Sequence, residues 1–157
     1  PAVSKPILVL LMIIGACAGS TGGGLKISRL LILCKSIPKQ LSLVIHPREI
    51  KVIKMDGKAI EHQVMRATNV YLAIYFFITL GSTLFVSVDN FDFTTNFTAV
   101  VSALNNIGPG LAGVGPTRNF GAFSVFSKFV LMFDMLAGRL ELYPLLILFM
   151  PSLWRRK

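Results

Sequence analysis

Apolar runs recur along the chain, and the gaps between them differ in kind. Residues 7–18, ILVLLMIIGACA, form an apolar run of twelve, short of the roughly 20 residues that a membrane-crossing helix needs. They predict a half-helix or the remnant of a longer one. Five of the ten residues 15–24, GACAGSTGGG, are glycine. Each costs about 1 kcal/mol relative to alanine inside a helix, so a break is expected there. Helical character resumes over residues 25–36, LKISRLLILCKS, with basic residues spaced as in a segment descending into an anionic interface. Pro38 is expected to stop it.

Residues 37–63 mix proline, lysine, histidine and acids. The alternation around HPREIKVIKMDGKAI, with its Asp56-Gly57 pair, predicts a small hairpin under the membrane. Residues 64–88 are long enough to cross a core of about 30 Å with some tilt. Residues 94–105, with Asp92 or Thr94 as cap, predict a helix of roughly three turns that cannot span. A glycine-rich loop follows, then residues 121–150 as a final apolar helix, then PSLWRRK, whose Trp154 and basic end mark an interface.

Hydrophobic residues make up 54% of the 157 and charged ones 15%, against roughly 25% charged in ordinary soluble domains. This predicts an all-α integral membrane protein. A net charge of +9 raises nucleic acid as a partner, but the placement of the charges argues against it. Lys26, Arg29, Lys35, Lys39, Arg48, Lys51, Lys54, Lys58 and Arg66 lie in one connection, and Arg155, Arg156 and Lys157 form the tail. The positive-inside rule puts both in the cytoplasm. The order is thus outer helix 64–88, re-entrant pore helix 94–105, filter loop 106–110 and inner helix 121–150, preceded by a broken helix. Cation channels use this plan to place carbonyls around an axis.

Asn106-Ile107-Gly108-Pro109-Gly110 supplies non-helical backbone, tolerated at membrane depth only where it lines a cavity or is buried in protein. The two glycines and Pro109 favour an extended ribbon. The carbonyls of Asn106, Ile107 and Gly108 are expected to point at one axis and to replace the hydration oxygens of a cation. The short helix ending near Asn105 adds roughly half a negative charge at its C-terminus. An ordinary turn between two helices is the plainer alternative. GSTGGGLK lacks the GK[ST] ending and the preceding strand of a phosphate loop. It fits either an unwound helix at a pore or a small-residue packing surface. Arg139, an ionisable group within an apolar helix, suits a gate better than a cation site, with a purely stabilising pair as its alternative. Cys17 and Cys34 are expected to be buried reduced thiols, and no cofactor is expected.

These stretches resemble the Trk/Ktr potassium-transporter superfamily, and its TrkH branch in particular. GACAGSTGGGLK is similar to a third-repeat gating loop, SALNNIGPGLAGVGP to a fourth-repeat pore helix and filter, and GRLELYPLLILFMPSLWRR to the end of the last helix. HPREI and CAGSTGGG favour the TrkH branch. In that family four helix, pore-helix, helix repeats surround one potassium path. The resemblance implies that Gly108 is a filter glycine. It implies a mobile loop below the filter formed by Gly15, Gly19, Ser20, Thr21, Gly22, Gly23 and Gly24, touched by Arg139. Residues 1–36 would close the third repeat, 37–63 would be a cytoplasmic connection, 64–150 the fourth repeat and 151–157 a cytoplasmic tail.

The resemblance also implies a multi-pass protein of the bacterial inner membrane, in contact with lipid. It would be a homodimer bound to a cytosolic nucleotide-binding regulatory subunit like TrkA. The basic 26–66 connection and the tail are the candidates for that contact. The chain is expected to be a C-terminal piece of something longer. A single filter strand cannot enclose an ion, so the piece alone is not expected to conduct. A non-conducting scaffold with glycine-mediated packing stays open. A membrane enzyme is disfavoured, because His46 and His62, the only histidines, lie in the connection away from any nucleophile or metal set.

Overall fold

The computed structural model describes residues 3–15, 17, 23–46, 54–55 and 58–140. Among these the chain forms five helices: α1 Ser4–Ile14, α2 Ile27–Ile45, α3 His62–Val86, α4 Phe93–Asn105 and α5 Val125–Arg139. A two-stranded antiparallel ladder, β1 Lys54–Met55 and β2 Lys58–Ala59, pairs Lys54 with Ala59 and Met55 with Lys58. This is the predicted hairpin; Asp56 and Gly57 at its turn lie outside the described residues.

At about 1.5 Å per residue α3 is about 37 Å long. Among the described residues it is the one helix long and apolar enough to cross a membrane. Its sides are reversed relative to a soluble helix. Thr68, Tyr71, Tyr75, Thr79 and Ser82 are buried, while Phe76, Phe77, Leu84 and Phe85 are exposed. The hydroxyls of Thr68, Thr79 and Thr83 donate to carbonyls one turn back, at 2.7–2.8 Å. This satisfies them inside the bundle, where no water would.

α4 lies at the centre, packed against α1, α3 and α5. Ala99, Val100 and Leu104 have no exposed surface. Lipid tails are as apolar as leucine, so what such burial gains here is close packing rather than release from water. Asp92 caps the helix, accepting from the amide of Thr95 at 3.3 Å and from its hydroxyl.

Three expectations need correction. Pro38 does not stop α2, which runs on to Ile45. The proline removes one ladder bond and crowds the Cys34 carbonyl, but Ile32, Ser36 and Lys39 are buried on one face as α2 packs against α3. The 37–63 connection therefore begins as helix. The last helix starts at Val125, not at 121, because two side-chain caps intervene. Asn119 accepts from the Gly121 amide at 3.0 Å and closes a tight turn over Phe120–Ala122; Ser124 then accepts from the Ser127 amide at 3.2 Å. Residues 141–157 lie outside the described residues. Finally, Cys17 and Cys34 are free but exposed rather than buried.

The Thr95 hydroxyl holds the Asp92 carboxyl below its usual value of 3.8. A depressed folded value means that the contribution is present above the unfolded value and is lost as pH falls through the folded one. In the full-length protein, Asp92→Ala is expected to cost about 1 kcal/mol in thermal unfolding, while Asp92→Asn keeps most of the cap. The gap between Asp92→Ala and wild type should narrow below about pH 3.8.

Candidate functional site

α4 ends in a left-handed residue, Asn106, at φ 53°. The Asn106 amide donates to the Ala103 carbonyl and the Ile107 amide to that of Ser102, both at 3.1 Å, the reciprocal pair that terminates a helix when the next residue turns left-handed. Beyond it residues 107–110 take no regular secondary structure, with Gly108 at φ +106°, a conformation that residues with a side chain rarely adopt. The Asn106 amide group donates to the Met135 carbonyl at 3.2 Å and ties this corner to α5.

Three hydroxyls of α4, at spacings of three and four, hold the loop in place. Ser102 donates to the Gly108 carbonyl at 2.8 Å. Thr98 accepts from the Leu111 amide at 3.0 Å, and Thr95 accepts from the Gly113 amide at 3.0 Å. The Gly110 amide closes on the Val114 carbonyl at 2.8 Å. Among the described residues no hydrogen bond reaches the carbonyls of Asn106 or Ile107. The expectation of three free carbonyls is thus corrected at Gly108. One of its lone pairs is engaged by Ser102, leaving the other available.

Below the end of α4 the glycines meet. A Cβ on Gly23 or on Gly138 would overlap the Leu104 carbonyl oxygen. One on Gly23 would also lie 3.1 Å from the Gly138 carbonyl oxygen, and one on Gly15 would lie 2.9 Å from that of Gly23. Both ends of the broken segment therefore converge at the C-terminus of α4, and the backbone of Gly138, one residue before Arg139, forms the third side.

Two tyrosines one turn apart on α3 clasp this junction. Tyr71 donates to the Gly24 carbonyl at 3.1 Å, and Arg29 of α2 sits 3.9 Å from the centre of the Tyr71 ring. Tyr75 donates to Asn105 Oδ1 at 3.1 Å. The Asn105 amide in turn donates to the Met12 carbonyl in α1. Asn105 thus touches the end of α1 just before the glycine segment and Gly24 at that segment's end, and it directly precedes the non-helical loop.

Of the residues singled out by sequence, Asn106 is half-buried, Ile107, Gly108 and Pro109 are exposed, and Gly110 is buried. Gly15, Gly23 and Gly24 gather under α4. Gly19, Ser20, Thr21 and Gly22 lie outside the described residues. Arg139 ends α5 on its exposed side. Among the described residues no group of histidine, cysteine and acidic side chains could hold a metal ion.

The family model for TrkH, a cation transport protein, matches residues 1–156. The chain belongs to the TrkH family. It is 38% identical over 151 residues to the Trk system potassium uptake protein TrkH of Salmonella typhimurium, covering 96% of this chain and 31% of that one. It is 34% identical over 148 residues to TrkG of Escherichia coli, covering 94% of this chain and 30% of that one. The crystal structure of the potassium transporter TrkH from Vibrio parahaemolyticus superposes with a TM-score of 0.83 at 37% identity, covering 99% of this chain and 33% of that one. The chain therefore spans about a third of the length of the TrkH relatives it matches.

Sequence reasoning missed the hydroxyl stripe Thr95, Thr98 and Ser102, whose i, i+3, i+7 spacing in TTNFTAVVS was its available signal. It missed the tyrosine clasp as well. It also gave no role to Asp134, which is fully buried and accepts from Ser82 at 2.7 Å, joining α5 to α3. Gly138→Ala places a methyl on the Leu104 carbonyl. In the full-length protein it is expected to cost at least the roughly 1–3 kcal/mol of ordinary overpacking, read as a lowered midpoint in detergent. Gly81→Ala, on α3 where no atom lies within 4 Å of the added Cβ, should leave the midpoint unchanged or slightly raised.

Proposed function

We propose that this chain carries the gate and one filter segment of a bacterial potassium uptake protein of the inner membrane. The observation that carries this reading is the non-helical backbone at the C-terminus of a short buried helix, with the Asn106 and Ile107 carbonyls unengaged. Oxygens so placed replace part of a cation's hydration shell. The helix terminus supplies roughly half a negative charge of the right sign. A ribbon pinned by Ser102, Thr98 and Thr95 does not have to reorganise as the ion arrives. The names of the relatives, potassium uptake proteins, support potassium as the ion.

The glycine segment is the gate on this reading. Its ends sit directly under α4 and are held by the Tyr71 and Asn105 hydrogen bonds. Each such bond is worth about 1 kcal/mol net, small enough to be broken during opening. Arg139, beside this junction, places a fixed positive charge near the proposed path and holds it shut. The basic connection and tail face the cytoplasm, where a nucleotide-binding regulatory subunit docks on a homodimer. A scaffold reading has one observation in its favour, the close glycine contacts of Gly23 and Gly138 with Leu104. It does not account for the three hydroxyls spent on an exposed loop.

Potassium-limited growth of an uptake-deficient bacterium carrying the full-length gene tests the filter. Gly108→Asp is expected to abolish growth, and growth equal to wild type would remove Gly108 from the filter. Rubidium flux into liposomes tests the gate. Tyr71→Phe keeps the ring under Arg29 but loses the bond to Gly24, and is expected to raise basal flux by about fivefold. Arg139→Ala should raise basal flux too. A protein that folds and passes no rubidium in any variant is a scaffold.

A further inference from the structure

Asp134 lies on the inner face of α5, in line with Ser127, Leu131 and Ala137, and has no exposed surface. Its Oδ1 accepts from the Ser82 hydroxyl of α3 at 2.7 Å, and its Oδ2 is buried with no hydrogen-bond partner. Ser82 departs from its neighbours on α3: Thr79 and Thr83 donate to the carbonyl one turn back, whereas Ser82 crosses to the other helix. Among the described residues no cation faces the pair. On α5 itself Lys128 and Arg139 lie about 120° and 140° round the helix from Asp134 at 100° per residue, and Lys128 donates to the Gly121 carbonyl. α3 and α4 pack against α5. Between Ala67 and Val86 the titratable groups of α3 are Tyr71 and Tyr75, which bond to Gly24 and Asn105. Arg66 and His62 lie about 24 Å or more along α3 from Ser82, and α4 carries no titratable group between Phe93 and Asn105. Asp89 and Asp92, at the helix ends, are engaged by Ser124 and Thr95. The groove over Ser82 is lined by Ile78, Phe85, Phe129 and Phe133.

An isolated carboxylate in such a place is so costly that the group neutralises instead. A proton on Oδ2 removes the charge and turns an acceptor without a donor into a donor, which helix carbonyls can serve with their second lone pair. We propose that Asp134 carries a proton within the bundle and that the neutral carboxyl, held by Ser82, is the pin that fixes α5 beside the filter corner and the gate. The next residue, Met135, accepts from the Asn106 side chain with its carbonyl at 3.2 Å, and Gly138, one turn on, lies against the Leu104 carbonyl. Over residues 134–138, α5 is thus fastened to α3, to the filter corner and to the end of α4. Loss of the proton leaves a carboxylate that only water or a cation can satisfy. The closed contact with Ser82 admits neither, so α5 has to move away from α3 and takes the Met135 and Gly138 contacts with it. Asp134 touches no ion and acts as a positioning residue. The proton rests on packing alone, and its effect on transport rests on the proposed filter and gate.

The test uses the full-length protein in liposomes. Infrared difference spectra of wild type against Asp134→Asn at neutral pH should show the C=O stretch of a protonated carboxyl; carboxylate bands in its place overturn the proton. In Ser82→Ala that band should move to higher frequency, because its hydrogen bond is gone, and an unmoved band overturns the pairing. Wild type alone, taken to alkaline pH, should lose the band. Over the same range its ratio of rubidium to sodium flux should fall by about fivefold, the factor equivalent to one hydrogen bond. Asp134→Asn keeps an acceptor for Ser82 and a donor where the proton was, and should hold the ratio through that range. A wild-type ratio that does not fall together with the band, or an identical fall in Asp134→Asn, overturns the pin. If neither protein passes rubidium, the transport reading fails and the infrared bands still decide whether Asp134 holds a proton.

Discussion

A peptide group that leaves a helix inside a bilayer has no water to turn to, and leaving it unsatisfied costs several kcal/mol. Residues 106–113 are eight such groups in succession. The chain meets most of this demand from within α4, whose Ser102, Thr98 and Thr95 side chains reach up to Gly108, Leu111 and Gly113. The Gly110–Val114 bond and the two closing bonds of the helix cover others. Among the described residues the carbonyls of Asn106, Ile107, Pro109 and Gly110 and the amide of Gly108 are left without a partner, as is one lone pair of the Gly108 carbonyl. On the proposed reading, the acceptors offered to a cation are among those that the fold leaves unsatisfied, so the constraint that shapes the loop bears on its chemistry too.

A helix that spends its hydroxyls on a loop must be enclosed on its other sides, and this requirement spreads outward. α3 turns its threonines, serines and tyrosines inward and its phenylalanines outward. α5 brings Gly138 and the broken segment brings Gly23 against Leu104, because only a residue without a Cβ approaches a carbonyl that closely. Burial in this setting does not gain transfer energy from water, so the assembly depends on close contact and matched hydrogen bonds. That accounts for the sensitivity expected at Gly138 and the indifference expected at Gly81.

The large-scale order was legible because each element carried a strong local signal. The 64–88 run had the length to span, DNFDFTTNF carried its own cap, and three adjacent glycines excluded a continuous helix. Local signals failed where tertiary contacts outvoted them. Pro38 reads as a stop, yet Ile32, Ser36 and Lys39 facing α3 carry the helix through it. Residues 121–124 read as helix because they are apolar or small, yet the Asn119 and Ser124 side chains claim the amides that a helix start would need. The hydroxyl stripe of α4 was visible as spacing but had no meaning until the loop folded back over it. The Tyr71 and Tyr75 contacts join residues 47 and 30 positions apart and leave no trace in a linear pattern.

Asn105 shows why filter and gate are not independent devices on the proposed reading. It is the last residue of α4, so its backbone sets the direction in which Asn106 and Ile107 leave the helix. Its side chain accepts from Tyr75 and donates to Met12, while Gly24 packs against it. A glycine segment that moves aside together with the end of α1 gives up the Met12 bond, and the Asn105 amide then loses a partner in a place without water. It either turns, which disturbs the helix end that orients the filter carbonyls, or takes a new partner from whatever fills the opened space. Hydrated potassium below the filter would bring such a partner, so opening becomes least costly when an ion and its water are present. The physical link between selecting an ion and admitting it is then a single carboxamide shared by two segments of backbone.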